Sequence, residues 1–233
     1  MSEAIHYYRR NAPEYPDYFR ELPGMPDGIY VKGSLPPENC RRVAIVGART
    51  CSGYGRAEAG RFARALAGAG AVIISGMAAG IDSCAHQGAL DAGGKTCGVL
   101  GCGVDVCYPK SNMSLYRRVL QSGGGLISEF EPGSIPAAWH FPVRNRLISA
   151  LADIVLVIEA RRKSGSLITA DYALEQGKSV YAIPGRNRDA LSEGCNCLLA
   201  QGAAVADCPE RLLEELGLGE MKEKNHKDPE QIL

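Results

Sequence analysis

Between residues 43 and 206 short β-rich runs alternate with helical ones, and this limits the possible folds more than any other feature. The runs are Val43–Val46, Val72–Ser75, Thr96–Leu100, Leu126–Ser128, Ile154–Ile158, Val180–Ile183 and Ala203–Ala206. Several of them, such as "AIVG", "VIIS" and "IVLVIE", are apolar at consecutive positions. A strand with both faces covered needs that pattern, whereas a half-exposed strand alternates. The segments between them predict helices over 56–69, 81–92, 113–121, 143–151, 167–176 and 209–216. In the first of these, Ala59, Phe62, Ala63, Leu66 and Ala67 fall on one face. Strand–helix alternation at this spacing implies right-handed βαβ units. The expected fold is α/β: a doubly wound, mostly parallel sheet between two helical layers.

Residues 1–38 read as an N-terminal extension rich in proline and tyrosine, from which 28–36 could supply one edge strand. Residues 39–217 form the expected domain. Residues 218–233 are charged, lack an apolar face and are expected to be disordered. No apolar run approaches the ~18 residues of a membrane span, and the N-terminal stretch is polar and broken by prolines. The expected setting is cytoplasmic, without membrane attachment.

The formal net charge is zero. An anion site must therefore come from a local concentration of charge rather than a basic surface. The nine cysteines contain no C-x-x-C pair, so neither a metal site nor a disulfide framework is expected.

In sheets of this type ligands bind beyond the carboxyl ends of the strands. The loop "GARTCSGYG" opens the search. A dinucleotide fingerprint needs a second glycine two residues after Gly47, where Arg49 stands, and an acid after the second strand, where Ser75-Gly76 stands. A Walker-type Gly-Lys-Ser/Thr is also missing. No nucleotide cofactor is expected. Arg49, the Ser52 hydroxyl and Gly53 at a helix N-terminus instead suggest an anion grip, since backbone N–H groups and the dipole attract anions there. A tight turn with a solvated arginine is the competing reading.

"SGMAAGIDSCAHQGAL" places Asp82 and His86 at i, i+4. The favoured reading is a carboxylate hydrogen-bonded to the histidine and pinning the loop; no nucleophile stands beside them. "HFPVRNRLISAL" sets Arg144, Asn145 and Arg146 in the first turn of an expected helix, an unfavourable place for cations unless an anion binds. Phe141 could stack on a base or staple the helix to the core. "EARRKSGSLITADYALEQG" brings Arg161, Arg162 and Lys163 to Ser164-Gly165-Ser166 at a helix start, where a solvated charge run is the ordinary alternative. Neither G-x-S-x-G nor H-E-x-x-H occurs, and no loop holds a complete catalytic set.

The ordered blocks "VAIVGART-S-YG", "ISGMAAGID--AHQGAL", "GGKT-GVLGCGVDVCYPKSN--L", "G-LISEFEPG", "FPVRNRLISALAD-VLVIEA---SGSLITADYALEQGK-VYAIPG" and "GCN-LL-QGA" run from Val43 to Asp207. This series resembles the DNA-processing protein A family, also called DprA or Smf. The resemblance implies an extended Rossmann fold, commonly homodimeric. It implies binding and protection of incoming single-stranded DNA during natural transformation, and help in loading the RecA recombinase. It implies no catalysis. Carried over by motif position, Arg49, Ser52 and Gly53 look like phosphate contacts. Lys95 of "GGKT" and Phe141, Arg144 and Arg146 of "FPVRNR" look like further pocket members, with Lys163–Ser166 beside them. Many members carry a helical domain before the extension and a winged helix after the core; neither is expected within these 233 residues. The alternative is a Rossmann-like enzyme of the nucleoside monophosphate phosphoribohydrolase type. Its usual P-G-G-x-G-T-x-x-E is only loosely echoed in "SGSLITADYALE", although Glu159 and Glu175 are available acids. A protein–protein adaptor is a third reading.

Overall fold

The structure is a computed structural model that describes residues 4–219; the expected disordered tail lies outside these from residue 220 on. One sheet organises the described residues. Its strands are β1 (Ile5–Arg9), β2 (Gly28–Gly33), β3 (Arg42–Val46), β4 (Val72–Ser75), β5 (Thr96–Val99), β6 (Gly125–Ser128), β7 (Ile154–Val157), β8 (Ser179–Ala182) and β9 (Ala204–Val205). Their spatial order is β1-β2-β6-β5-β4-β3-β7-β8-β9. Pairing is parallel from β6 through β9 and antiparallel for β1–β2 and β2–β6.

Every residue of β3, β4, β5, β6 and β7 is buried. That two-sided burial is the physical counterpart of the unbroken apolar runs. On one face pack α2 (Gly53–Gly68), α3 (Ile81–Asp91), α4 (Met113–Gln121) and α8 (Pro209–Glu215), around Phe62, Leu66, Ile73 and Ile81 and around Leu115 and Val119. On the other lie α1 (Asp17–Arg20), α5 (His140–Leu151), α6 (Gly165–Glu175) and α7 (Glu193–Ala200), around Phe19, Leu147, Ala170 and Leu198. The expected α/β three-layer architecture is present. From β3 the chain winds outward to β6, crosses by α5 to β7, then winds the opposite way. The switch point of this doubly wound sheet therefore falls between β3 and β7.

Three features differ from the sequence reading. Residues 28–33 do form a strand, but not at the edge: β1 lies outside it and β2 joins β6, with Tyr30 facing Ser128. Helix α7 occupies a stretch where no helix was expected. Helix α5 begins at His140 rather than Val143. Pro142 sits in its first turn, where a missing N–H costs nothing, so Arg144 and Arg146 lie in the second turn. They are therefore not cations crowded at the helix N-terminus.

Candidate nucleic-acid interface

A cavity of about 550 Å³ opens at the switch point. The end of β3 supplies Val46 and Gly47, and the loop after it supplies Arg49. Ala78 comes from the turn after β4 and Asp82 from the first turn of α3; Phe141, Arg144 and Asn145 come from α5, and Ser164, Gly165 and Ser166 from the start of α6. Loops widely separated in sequence converge because the carboxyl ends of the parallel strands all point here.

The turn after β3 is locked from two sides. Ser52 caps α2 by accepting from the Gly55 N–H at 3.0 Å. Its own N–H and hydroxyl both donate to the Glu159 carboxylate, at 2.9 and 2.5 Å. Glu159 follows β7 and is only 4% exposed. It packs so tightly over Gly55 that a side chain there would collide with its carboxylate oxygens. The favourable anion position at the α2 N-terminus is therefore filled by the protein's own carboxylate. Ser52, expected as a phosphate contact, gives both its N–H and its hydroxyl to Glu159. Gly53 begins the helix with open space around its Cα.

Arg49 is exposed and turns outward from this turn. Its guanidinium lies 4.9 Å from the centroid of the Phe141 ring, the geometry of a cation–π contact. Among the described residues no carboxylate pairs with it. Phe141 also meets Arg144, at 5.9 Å, and Tyr108, at 5.6 Å between ring centroids.

Arg144 is 4% exposed and belongs to the cavity floor. It donates to the Gly76 carbonyl at 2.8 Å and to the Val99 carbonyl. Asp82 accepts from the Gly76 and Ala78 N–H groups at 3.1 and 3.3 Å, so it pins the second glycine loop. Burial pushes the Asp82 carboxyl up and the Arg144 guanidinium down, and the charge of each opposes the other's shift. The expected Asp82–His86 hydrogen bond is not made. His86 instead pairs its Nδ1 with the Thr96 hydroxyl at 2.6 Å, which in turn donates to the Ile73 carbonyl. Burial, with Arg144 nearby, drives the imidazole down to about 3, so it stays neutral.

At the start of α6 the Ser164 hydroxyl accepts weakly from the Ser166 N–H and lies 2.7 Å from the Ser166 hydroxyl. A Cβ on Gly165 would meet open space. Asn145 donates to the Gly165 carbonyl at 2.9 Å, which ties α5 to this turn. Lys163 is exposed immediately before it, with Arg161 and Arg162.

Two expected pocket residues stand elsewhere. Lys95 precedes β5, at the amino end of the sheet, with its carbonyl accepting from Ile73. Strand rise puts it roughly 20 Å from the Gly101 turn that touches Phe141. Arg146 makes a two-pronged pair with Glu129 at 2.6 and 2.7 Å and donates to the Gly24 carbonyl at 2.8 Å. Neither lines this cavity: Lys95 stands at the amino end of its strand, and Arg146 is paired with a carboxylate and clamps the N-terminal segment. Tyr108, which lines the cavity with 42% of its surface exposed, was missed. It follows an irregular stretch with no periodicity to flag it.

Among the described residues no group of three His, Cys, Asp or Glu could hold a metal ion. No helix of these residues is long and apolar enough to cross a membrane.

Known proteins are similar to the chain in sequence and in fold. The DNA processing protein DprA of Streptococcus pneumoniae is 41% identical over 201 residues, covering 86% of this chain and 71% of that protein. Its X-ray structure superposes with a TM-score of 0.85, covering 92% of this chain and 75% of the solved one. Protein Smf of Escherichia coli is 42% identical over 205 residues, 88% of this chain but 55% of its own length. DNA processing protein A from Helicobacter pylori, solved to describe its single-stranded DNA binding mode, is 31% identical, with a TM-score of 0.79 over 93% of this chain and 98% of that one. The family described as DNA recombination-mediator protein A matches residues 6–217. With that span, those identities and the same sheet, this chain belongs to the DNA recombination-mediator protein A family, the DprA/Smf proteins.

Proposed function

We propose that the chain binds single-stranded DNA across the cavity at the β3/β7 switch point, without catalysing a reaction on it. The observation that carries this reading is Arg49 seated over Phe141 at the cavity wall. A phosphate-directed cation and an aromatic surface stand side by side, the pair of groups a base-plus-phosphate repeat requires. Gly165 and Lys163 offer a second phosphate position at the start of α6. The DNA binding named for the Helicobacter pylori relative supports it. In this reading the contacts are Arg49, Phe141, Asn145 and Lys163–Ser166, over a floor held by Arg144. The chain protects incoming strands, assists RecA loading in recombination and transformation, works as a homodimer and acts in the cytoplasm.

The enzyme alternative relied on Glu159 or Glu175 as acid. Glu159 is occupied at Ser52, and Glu175 ends α6 away from the cavity.

Fluorescence anisotropy with oligo-dT of tens of nucleotides tests the proposal. Sub-micromolar to micromolar affinity is expected, with weaker binding to duplex. If about four phosphates are neutralised, the log–log salt slope is about −3. Equal affinity for single strand and duplex, or no binding at low salt, overturns it. RecA assistance is read by strand exchange on coated single strands, and the homodimer by light scattering.

A further inference from the structure

One aromatic feature beside the cavity is not used by that proposal. Trp139 precedes α5, two residues before Phe141, and 63% of its surface is exposed. It is the chain's single tryptophan. An indole left this open is a large uncovered apolar group, yet it is held in place. It meets the His140 ring edge-to-face at 4.1 Å and the Phe130 ring edge-to-face at 5.9 Å. His140 in turn stacks on Phe130 at 3.8 Å and is anchored by its Nδ1 to the Gly101 carbonyl at 2.9 Å. Gly101 also lies directly against the Phe141 ring. The aromatic groups thus form a connected row from Tyr108 and Phe141, across Gly101, to His140 and Trp139. Pro136, Ala137 and Ala138, just before Trp139, line the cavity itself.

Charge sorts the two sides of this row. Lys163 and its neighbouring arginines stand by the α6 start, while Glu131 is exposed on the segment that leads to Trp139 and Asp105 is exposed on the loop after β5. Asp105 accepts from the Gly133 N–H at 2.8 Å, which fixes that acid close to the segment. Phosphates are repelled from the acidic side and attracted to the basic one. What can approach Trp139 is the uncharged part of a nucleotide.

We infer that Trp139, backed by His140 and Phe130, is a second stacking platform that holds a nucleobase next to the one over Phe141, with the phosphates running on the Arg49–Lys163 side. This rests on the single-stranded DNA reading above. The rigid backing matters because an indole already immobilised loses little side-chain freedom when a base lands on it.

Because Trp139 is the sole tryptophan, its emission reports on this position alone. The experiment titrates the protein with oligo-dT and with an abasic strand of equal length and charge. Binding is followed by anisotropy of end-labelled strands, and stacking by tryptophan emission with unlabelled ones. Oligo-dT is expected to quench Trp139, and the abasic strand to leave emission unchanged at concentrations where anisotropy shows it bound. Trp139→Ala is expected to weaken oligo-dT binding about tenfold and abasic binding not at all, with Trp139→Phe close to wild type. Oligo-dT bound with emission unmoved, or equal losses for both strands in Trp139→Ala, overturns the platform while leaving the DNA reading standing. No anisotropy change with either strand overturns both.

Discussion

Helix α6 begins at the cavity and α2 just beyond the loop that lines it; each has serine and glycine at its start, yet their N-termini differ in kind. At α2 the Glu159 carboxylate fills the anion position, bonded to the N–H and hydroxyl of Ser52. At α6 the cap is the short-range Ser164–Ser166 contact, and Gly165 faces open space. The lesson is that a glycine–hydroxyl helix start marks a place where an anion is favoured, not whose anion it is. One start is structural and internally neutralised; the other is left for something else. Arg49, between them, points toward the aromatic ring rather than into the filled site.

The largest expected effect comes from emptying the filled site. Glu159→Ala removes two hydrogen bonds to a charged group and leaves the half-buried Ser52 N–H without its acceptor; a loss of about 3 kcal/mol in stability is expected, read as a lower urea midpoint. An unchanged midpoint would erase the distinction between the two starts. Arg49→Ala should weaken oligo-dT about tenfold with the melting temperature unmoved, because among the described residues no carboxylate pairs with its guanidinium; a fall in melting temperature instead would make it a scaffold residue. Lys163→Ala should cost about threefold in affinity and make the log–log salt slope shallower by about 0.7, the loss of one phosphate contact. An unaltered slope would show that the α6 start is as closed to DNA as that of α2. Lys95→Ala is expected to change affinity by less than about twofold, since a charge roughly 20 Å away is beyond the ~10 Å screening length at 0.1 M salt.

These contrasts also explain what could and could not be read from the sequence. The central strands were legible because burial on both faces leaves an unbroken apolar signature, as in "VIIS" and "IVLV". Strand β1 was not, because its "IHYYR" is an exposed edge whose pairing, Tyr7 opposite Tyr30, depends on a distant segment. Helix α7 begins with Glu193-Gly194 and carries no wide apolar stripe to announce it. The cavity's location, with Arg49, Phe141 and Ser164–Ser166 around it, followed from loops at strand ends. The fates of Ser52 and Arg146 did not, because Glu159 and Glu129 reach them from other parts of the chain, and charge complementarity across such separations leaves no local trace. Lys95 belonged to a motif but to the wrong end of its strand.

The antiparallel junction of β2 with β6 sets an order of events for a growing chain. Tyr30 is made early, but its partner Ser128 emerges only after β3, β4 and β5 have been synthesised. Until then the β1–β2 pair has only itself, Ile29 and Val31 have no core to cover them, and Phe19 has no helix α5 to pack against. The segment that carries β1, α1 and β2 is therefore installed only after β6 has been made, and until then its uncovered apolar side chains are the part of the nascent protein a chaperone would meet.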